Sequence, residues 1–325
     1  MRNLLALPLV AAVACAGGAF KDQARDAMPS SSTMSMGSPT SSAQAASASS
    51  GTAVTQNSTA GDASAFARMT ATVAVVFNVP TAAFLDLLRH VVEDNDPTSC
   101  DANSCTWGPG SGPLDLVAYK LVVSHHSDGV SFDWALSGAV KPGIDFVTFA
   151  SGVATPGPQR HHGSGSFTLD FDVAHLLGIA GDATGKMEVT SYSNVGPAHL
   201  DVTFTGAKDG DPTHVNQKNN ILYSYSNDTT GGGDLDFAVH NTTSGDRFSV
   251  HSRWKNDGRG RADVKASASG YSNLSLSECW SAAPFNVVYF SSSVQAVVAP
   301  WGGPDSGYAA QCAYAPAVFS SKSAP

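Results

Sequence analysis

Large apolar residues recur at every second position over much of this chain. Val130, Phe132, Trp134 and Leu136 alternate with small or polar neighbours, as do Phe167, Leu169, Phe171 and Val173. Leu200, Val202 and Phe204, then Leu235, Phe237 and Val239, then Phe248, Val250 and Trp254 continue the pattern. A period of two gives an extended strand one apolar and one polar face, because successive side chains point to opposite sides. About twelve such segments are legible, near 69–77, 114–123, 130–139, 145–154, 166–173, 186–192, 198–206, 220–226, 233–240, 247–254, 261–268 and 285–292. Their connectors are short and rich in Gly, Asp, Asn and Pro, which favours antiparallel neighbours over parallel crossover units. The expected fold class is all-β, an antiparallel meander of about twelve strands.

One hairpin can be given a register. NDGRG separates the segments near 247–255 and 261–268, with Asp257 and Gly258 as the turn signal. Setting Lys255 opposite Arg261 places Arg253 against Asp263 and Trp254 against Ala262, opposite charges on the wet face and large against small on the dry one. A single segment breaks the alternation. In VPTAAFLDLLRHVVEDND, Phe84, Leu88, Val91 and Val92 recur at helical spacing, with Thr81 as N-cap after Pro80. This predicts one helix over about 81–93, covering the mouth or concave face of the sheet. One-sided strands must bury their apolar faces, which a barrel or half-barrel does and a two-sheet sandwich also does. The barrel forms are the favoured expectation. A transmembrane barrel also alternates, but the C-terminal KSAP lacks the terminal aromatic residue of that class.

The N-terminal region reads differently. Arg2 precedes an uncharged, mostly apolar run over 4–13, the h-region of a signal peptide spanning 1–14. No later stretch reads as long enough for a transmembrane helix, so none is expected. Ala12, Val13 and Ala14 permit ordinary cleavage before Cys15, and they equally permit a lipobox in which Cys15 is acylated and becomes the first mature residue. Cysteine parity favours the second. Of five cysteines, Cys100, Cys105, Cys279 and Cys312 can pair in an oxidising compartment once Cys15 carries lipid. Residues 28–65 are nearly all Ser, Ala, Thr, Gly, Met and Gln, too poor in large apolar groups to offset their ordering entropy. The expected organisation is a lipid-anchored disordered tether over 15–65, spanning roughly 35 Å, and a single β domain over 66–325. Charged residues are 14% of the chain and the net charge is −9, which argues against nucleic-acid binding.

Candidate chemistry is sparse. The four cysteines read as disulfides rather than zinc ligands, since neither Cys100 with Cys105 nor Cys279 with Cys312 has the close spacing of a zinc site; of the three possible connectivities, these two pairs are the expected one. His125 with His126, and His161 with His162, are sequence neighbours whose side chains point apart on an extended chain, so no metal site is expected. His240 and His251 fall on neighbouring strands without an evident acidic partner. Acidic loops at 93–96 and 208–211 lack EF-hand spacing. G-x-S-x-G, H-E-x-x-H and phosphate-loop motifs are absent. No catalytic residue or cofactor is expected, although a Ser-His-Asp set from distant positions stays open. Two binding surfaces are candidates. Arg247, Arg253, Lys255, Arg259, Arg261 and Lys265 form a basic patch for an anionic ligand. Phe132, Trp134, Phe171, Phe204, Phe237 and Trp254 line a concave interior that would hold an apolar ligand or be filled by its own side chains.

The leader with Cys15 and the Ser/Ala-rich stretch resemble those of bacterial lipoproteins. SECWSAAPFNVVYF at 277–290 and QCAYAP at 311–316 are similar to the ends of uncharacterised secreted lipoproteins of myxobacteria and their relatives. That resemblance implies a cell-envelope protein, periplasm-facing or at the cell surface, whose membrane partner is reached through an N-terminal lipid. It supplies no catalytic residues. The half-barrel-plus-helix outline also resembles periplasmic carriers of lipids or lipoproteins. The expected function is a non-catalytic binding or structural envelope protein, with a carrier of apolar ligands and an envelope hydrolase as alternatives.

Overall fold

A computed structural model of the chain describes residues 13–31, 34–39, 59–111, 115–208, 216–228, 230–268, 271–294 and 304–325. Its strands are β1 (Ser99–Cys100), β2 (Ser104–Gly110), β3 (Val117–His125), β4 (Phe132–Val140), β5 (Val147–Pro156), β6 (Gly163–Asp170), β7 (Lys186–Ser193) and β8 (His199–Lys208), followed by β9 (Lys218–Asn227), β10 (Gly233–Asn241), β11 (Arg247–Trp254), β12 (Gly260–Ala268), β13 (Tyr271–Trp280), β14 (Val287–Ser292) and β15 (Ser306–Gly307). Among the described residues three α-helices accompany them: α1 (Val13–Ala27), α2 (Ala65–Glu93) and α3 (Phe171–Leu176). All fifteen strands form one antiparallel sheet in sequence order, with β1 and β15 at its open edges. The meander is as expected; the sandwich alternative is replaced by a single unclosed sheet.

Hairpin connections keep the strands in step, and the alternation becomes continuous rows across the sheet. One inward row runs from Cys100 in β1 through Val123, Trp134, Phe167, Val202, Tyr223 and Val250 to Leu276 in β13. Gly152 sits between Trp134 and Phe167 in that row, and their rings meet across it at 5.8 Å. Apolar rows of this kind demand a cover, and α2 supplies it.

The covering helix starts sixteen residues earlier than expected. Ser64, not Thr81, is its N-cap, accepting from Ala67 N at 2.9 Å. The buried carboxylate of Glu278 accepts from Phe66 N at 3.1 Å and from the Ser64 hydroxyl, adding a negative charge at the positive end of the helix. The alternation read as a strand over 69–77 belongs to a helix because Phe66, Thr70, Val73, Ala74, Phe77, Thr81 and Phe84 also recur at helical spacing and are buried on one side. Pro80 is inside the helix; the carbonyl it deprives of a partner is that of Val76, on the exposed side of the helix. By length and composition α2 is apolar enough to cross a membrane, with a mean hydropathy of 1.7 over its most apolar stretch. That corrects the expectation that no later segment reaches such a length.

In the fold α2 lies along the inner face. Thr70 and Ser252 hydroxyls meet at 2.6 Å, Phe77 packs on Tyr223 at 5.7 Å, Phe84 stacks on Phe167 at 5.8 Å, and Trp107 Nε1 donates to Asn95 O at 3.2 Å just past the helix end. The helix therefore crosses from β13 to β2. Twenty-nine residues span about 43 Å, whereas the eleven strand spacings between β2 and β13 cover about 53 Å if flat. The sheet is bowed around its helix.

Three further expectations change. The hairpin of β11 and β12 is shifted by two residues: Arg253 faces Arg261, Trp254 faces Gly260 and His251 faces Asp263. The indoles of Trp254 and Trp280 decide this, since a Cβ at Gly233 or Gly260 would come within 2.2 Å or 2.4 Å of them. A shift of two leaves every side chain on its expected face. Phe171 and Val173 leave the strand pattern for α3, whose N-cap Asp170 accepts from Val173 N at 3.1 Å. β13, with Leu274, Leu276 and Trp280 inward, escaped notice because charged Glu278 breaks its alternation.

The tether expectation also changes over 15–39. Phe20, Ala24, Ala27 and Met28 recur at helical spacing and are buried, and Met34 and Met36 join the same core. Arg25 donates to Val92 O at 2.9 Å and to Asn95 O at 2.8 Å, and Asp26 pairs with Arg160 at 3.1 Å, fastening α1 beside the end of α2. The Met36 backbone is gripped in both directions by the Asn78 amide, at 2.8 and 2.9 Å. Low-complexity composition concealed these few large side chains. The rest of the expected tether, 40–58, and most of the expected signal peptide, 1–12, lie outside the described residues. The two ends flanking 40–58 share a corner: Pro39 O and the Phe285 ring both crowd Gly258, and Ser64 N donates to Phe285 O at 2.8 Å.

Candidate functional site

With α2 occupying the inner face, the chemistry collects on the outer one. Polar residues at alternate positions align there into a row: Ser191 of β7, Asp201 of β8, Ser224 of β9, Asp236 of β10, His251 of β11, Asp263 of β12 and Ser277 of β13. Residues 312–325 run across this row as a strap. Cys312 is bonded to Cys279 of β13. Arg261 Nη1 donates to Tyr314 O at 3.3 Å, and Val318 N donates to Asp263 Oδ2 at 2.9 Å. Lys322 reaches Asp201 at 3.4 Å and also the Ser224 hydroxyl. At the far end His240 Nδ1 donates to Pro325 O at 2.7 Å.

The centre of the strapped row is a compact ion network. Asp263 is fully buried and accepts from Arg261 Nε at 2.8 Å, Arg253 Nη2 at 3.3 Å and Ser277 Oγ at 2.6 Å. His251 faces two acceptors, Val318 O at 2.7 Å from Nδ1 and Asp234 Oδ1 at 2.9 Å from Nε2. A ring that donates to both of these acceptors is the imidazolium. Burial by itself pulls its pKa down, but the Asp234 carboxylate, the Val318 carbonyl and Asp236 outweigh burial and hold it above its ordinary value. Protonated His251, Arg253 and Arg261 then balance Asp234, Asp236 and Asp263, three charges against three. Lys322 has the corresponding effect on Asp201: burial would raise that carboxyl, but hydrogen bonds from Ser224 and Ser191 and the Lys322 charge hold it below the usual range.

Asp234, Asp236 and His251 place ligand-type atoms within 4.8 Å of one another. In this geometry His251 Nδ1 faces the Val318 carbonyl, Nε2 faces Asp234 of the same trio, and Arg253 stands opposite Asp234. These acidic neighbours correct the reading that His251 lacks a carboxylate partner. Cross-strand register brought them together, and no spacing in the sequence signals it.

The expected basic patch is dispersed by its partners. Arg253 and Arg261 neutralise Asp263, Arg259 pairs with Asp257 at 2.8 Å, and Arg253 and Lys255 stand over the Tyr314 ring at 5.1 and 5.9 Å. Arg247 and Lys265 remain at the far end of the strap. In the expected apolar interior, Phe132, Trp134 and Trp254 are fully buried, while Phe171, Phe204 and Phe237 are partly buried against the same core. α2 takes the space a ligand would need. The four expected disulfide cysteines pair as Cys100 with Cys105 and Cys279 with Cys312.

A second, open groove of about 840 Å³ lies at the other edge, between the last turns of α2 and the paired strands β2 and β3, with Leu87, Val91, Val117 and Ile179 along it. Leu116 at its lip and Ile144 and Leu176 on other connections are 80% exposed or more. Comparison with protein-family models, with curated proteins and with solved structures finds no match to this chain.

Proposed function

We propose that this chain is a lipid-anchored cell-envelope protein that acts as a non-catalytic binding or structural component. One observation carries the reading. Four of the five cysteines are joined in two disulfides, and Cys15 is the one left over, directly behind an apolar leader and small residues that suit acylation. The periplasm or cell surface, where disulfides persist, is the corresponding compartment. The docking of α1 sharpens the picture: Phe20, five residues after Cys15, is already in the core, so the acyl chains would enter the membrane close to the domain rather than at the end of a long spacer.

Occupancy of the concave face by α2 weighs against the alternative of an apolar-ligand carrier. The hydrolase alternative draws little from His251, whose nitrogens face a carbonyl and a carboxylate rather than a hydroxyl. Replacing Cys15 with Ala is expected to move the protein from the membrane fraction to the soluble fraction. Intact mass of the N-terminal peptide of the unmodified chain should show the added acyl groups. Membrane association unchanged by Cys15→Ala would overturn the anchor. Lipid copurifying stoichiometrically in native mass spectrometry of that released protein would restore the carrier.

A further inference from the structure

Between the strap and the strands beneath it lies a pocket of about 520 Å³. Its cations are Arg247 of β11, Lys265 of β12 and Lys322 of the strap; its hydroxyls include Ser249, Ser267 and Ser275; no Asp or Glu is among its described lining residues. Register makes this a built arrangement, since Arg247 faces Ser267 and Lys265 stands between Ser249 and Ser275. Arg247 and Lys265 are therefore diagonal neighbours of like charge, a placement that costs energy unless something negative lies between them.

Three of the other four cations of the expected basic patch have a carboxylate partner. Arg253 and Arg261 share Asp263, Arg259 holds Asp257, and Lys255 stands over Tyr314. Among the described residues Lys265 meets the Phe319 ring, at 5.3 Å, and no carboxylate. Among the described residues Arg247 has only neutral acceptors, Ala324 O at 3.4 Å and His240 Nε2 at 3.3 Å. In a chain with 27 acidic and 18 basic residues, two neighbouring cations with no carboxylate partner among the described residues, ringed by hydroxyls, mark a place prepared for an external anion.

We infer that this pocket binds a phosphate group, free or borne on a lipid headgroup. A tetrahedral oxyanion can take the Arg247 fork, the Lys265 ammonium and hydroxyls from three strands at once, more donors than a single carboxylate accepts. The strap closes the side toward β10, so the site exists only while residues 319–324 stay docked. The inference does not depend on acylation of Cys15.

The test titrates inorganic phosphate into the full chain at constant ionic strength, with chloride as the balancing anion, followed by calorimetry. Saturable binding is expected, weakened roughly tenfold or more by Lys265→Gln or Arg247→Gln, the loss of one charge-assisted hydrogen bond, and unchanged by Arg259→Gln. Circular dichroism and melting establish that the variants fold. Phosphate should also shield Lys265 from acetylation in the unaltered chain, a readout that needs no variant. Sedimentation with phosphatidylcholine vesicles, with and without phosphatidylglycerol, separates the sources. A preference for phosphatidylglycerol abolished by Lys265→Gln assigns a headgroup; phosphate binding without that preference assigns the free ion. Phosphate binding no better than chloride together with no variant-sensitive vesicle preference, or equal loss in Arg259→Gln, would overturn the inference.

Discussion

His251 shows how much one side chain can hold here. Its two nitrogens join β10 to the strap, and only the protonated ring can donate to both acceptors. Its folded pKa is raised above the ordinary 6.5, so the stabilisation is fully present below about pH 6.5 and is lost as pH rises through the folded value. Melting temperature measured across pH 5 to 9 should fall on the alkaline side. His251→Ala should remove that dependence while lowering stability at acid pH by about 1.5–3 kcal/mol; an unchanged pH profile in the variant would show that the latch lies elsewhere. A lone histidine on a strand is legible in the sequence. Its partners are not, because Asp234, Asp236 and Asp263 reach it through register and Val318 through a segment 67 residues away.

At the scale of elements, the strands were readable and their exact pairing less so. Alternation located most of them within two or three residues, since a one-sided strand must place an apolar group at every second position. Register depended on shape. Gly233, Trp254, Gly260 and Trp280 form one row in which glycines make room for indoles, and matching charges across the turn pointed to a neighbouring solution two residues away. Gly260→Ala should therefore cost about 1–3 kcal/mol through overpacking, read as a shift in the denaturation midpoint with an unchanged slope; a neutral result would mean that the Trp280 ring is free to move. α2 was half legible. The stretch over 69–77 satisfies both a period of two and a period of 3.6, and only the long inward face of the sheet, needing a cover from β13 to β2, selects the helix.

For the whole molecule, the distinguishing arrangement is a bowed sheet with a helix on its inner face and a strap on its outer one. The two are held by different means. α2 is retained by apolar packing and the Glu278 cap, whereas the strap rests on the Cys279–Cys312 bond, the ion network and a few backbone contacts. Opening that disulfide with Cys279→Ser and Cys312→Ser releases a loop of 33 residues' separation, about 3–4 kcal/mol in the chain-entropy account. Limited proteolysis of the variant should cut within 312–325 while the sheet and α2 remain protected. Loss of the entire fold at the same protease concentration would show instead that the strap is part of the core.

Taken alone, the sequence determined the strand faces and the meander, favoured the two disulfide pairs and supplied the proposal for Cys15, because each depends on local periodicity, turn chemistry or simple counting. Tertiary structure decided the rest. Whether 69–77 is strand or helix, where Trp254 sits against Gly260, how Met34 and Met36 join the core and which cations keep a carboxylate are all settled by what lies across the sheet. The basic patch changed most for that reason. Six charges close in sequence are divided between the two ends of a strap, and the strap's course follows from side chains that meet only when fifteen strands are in register.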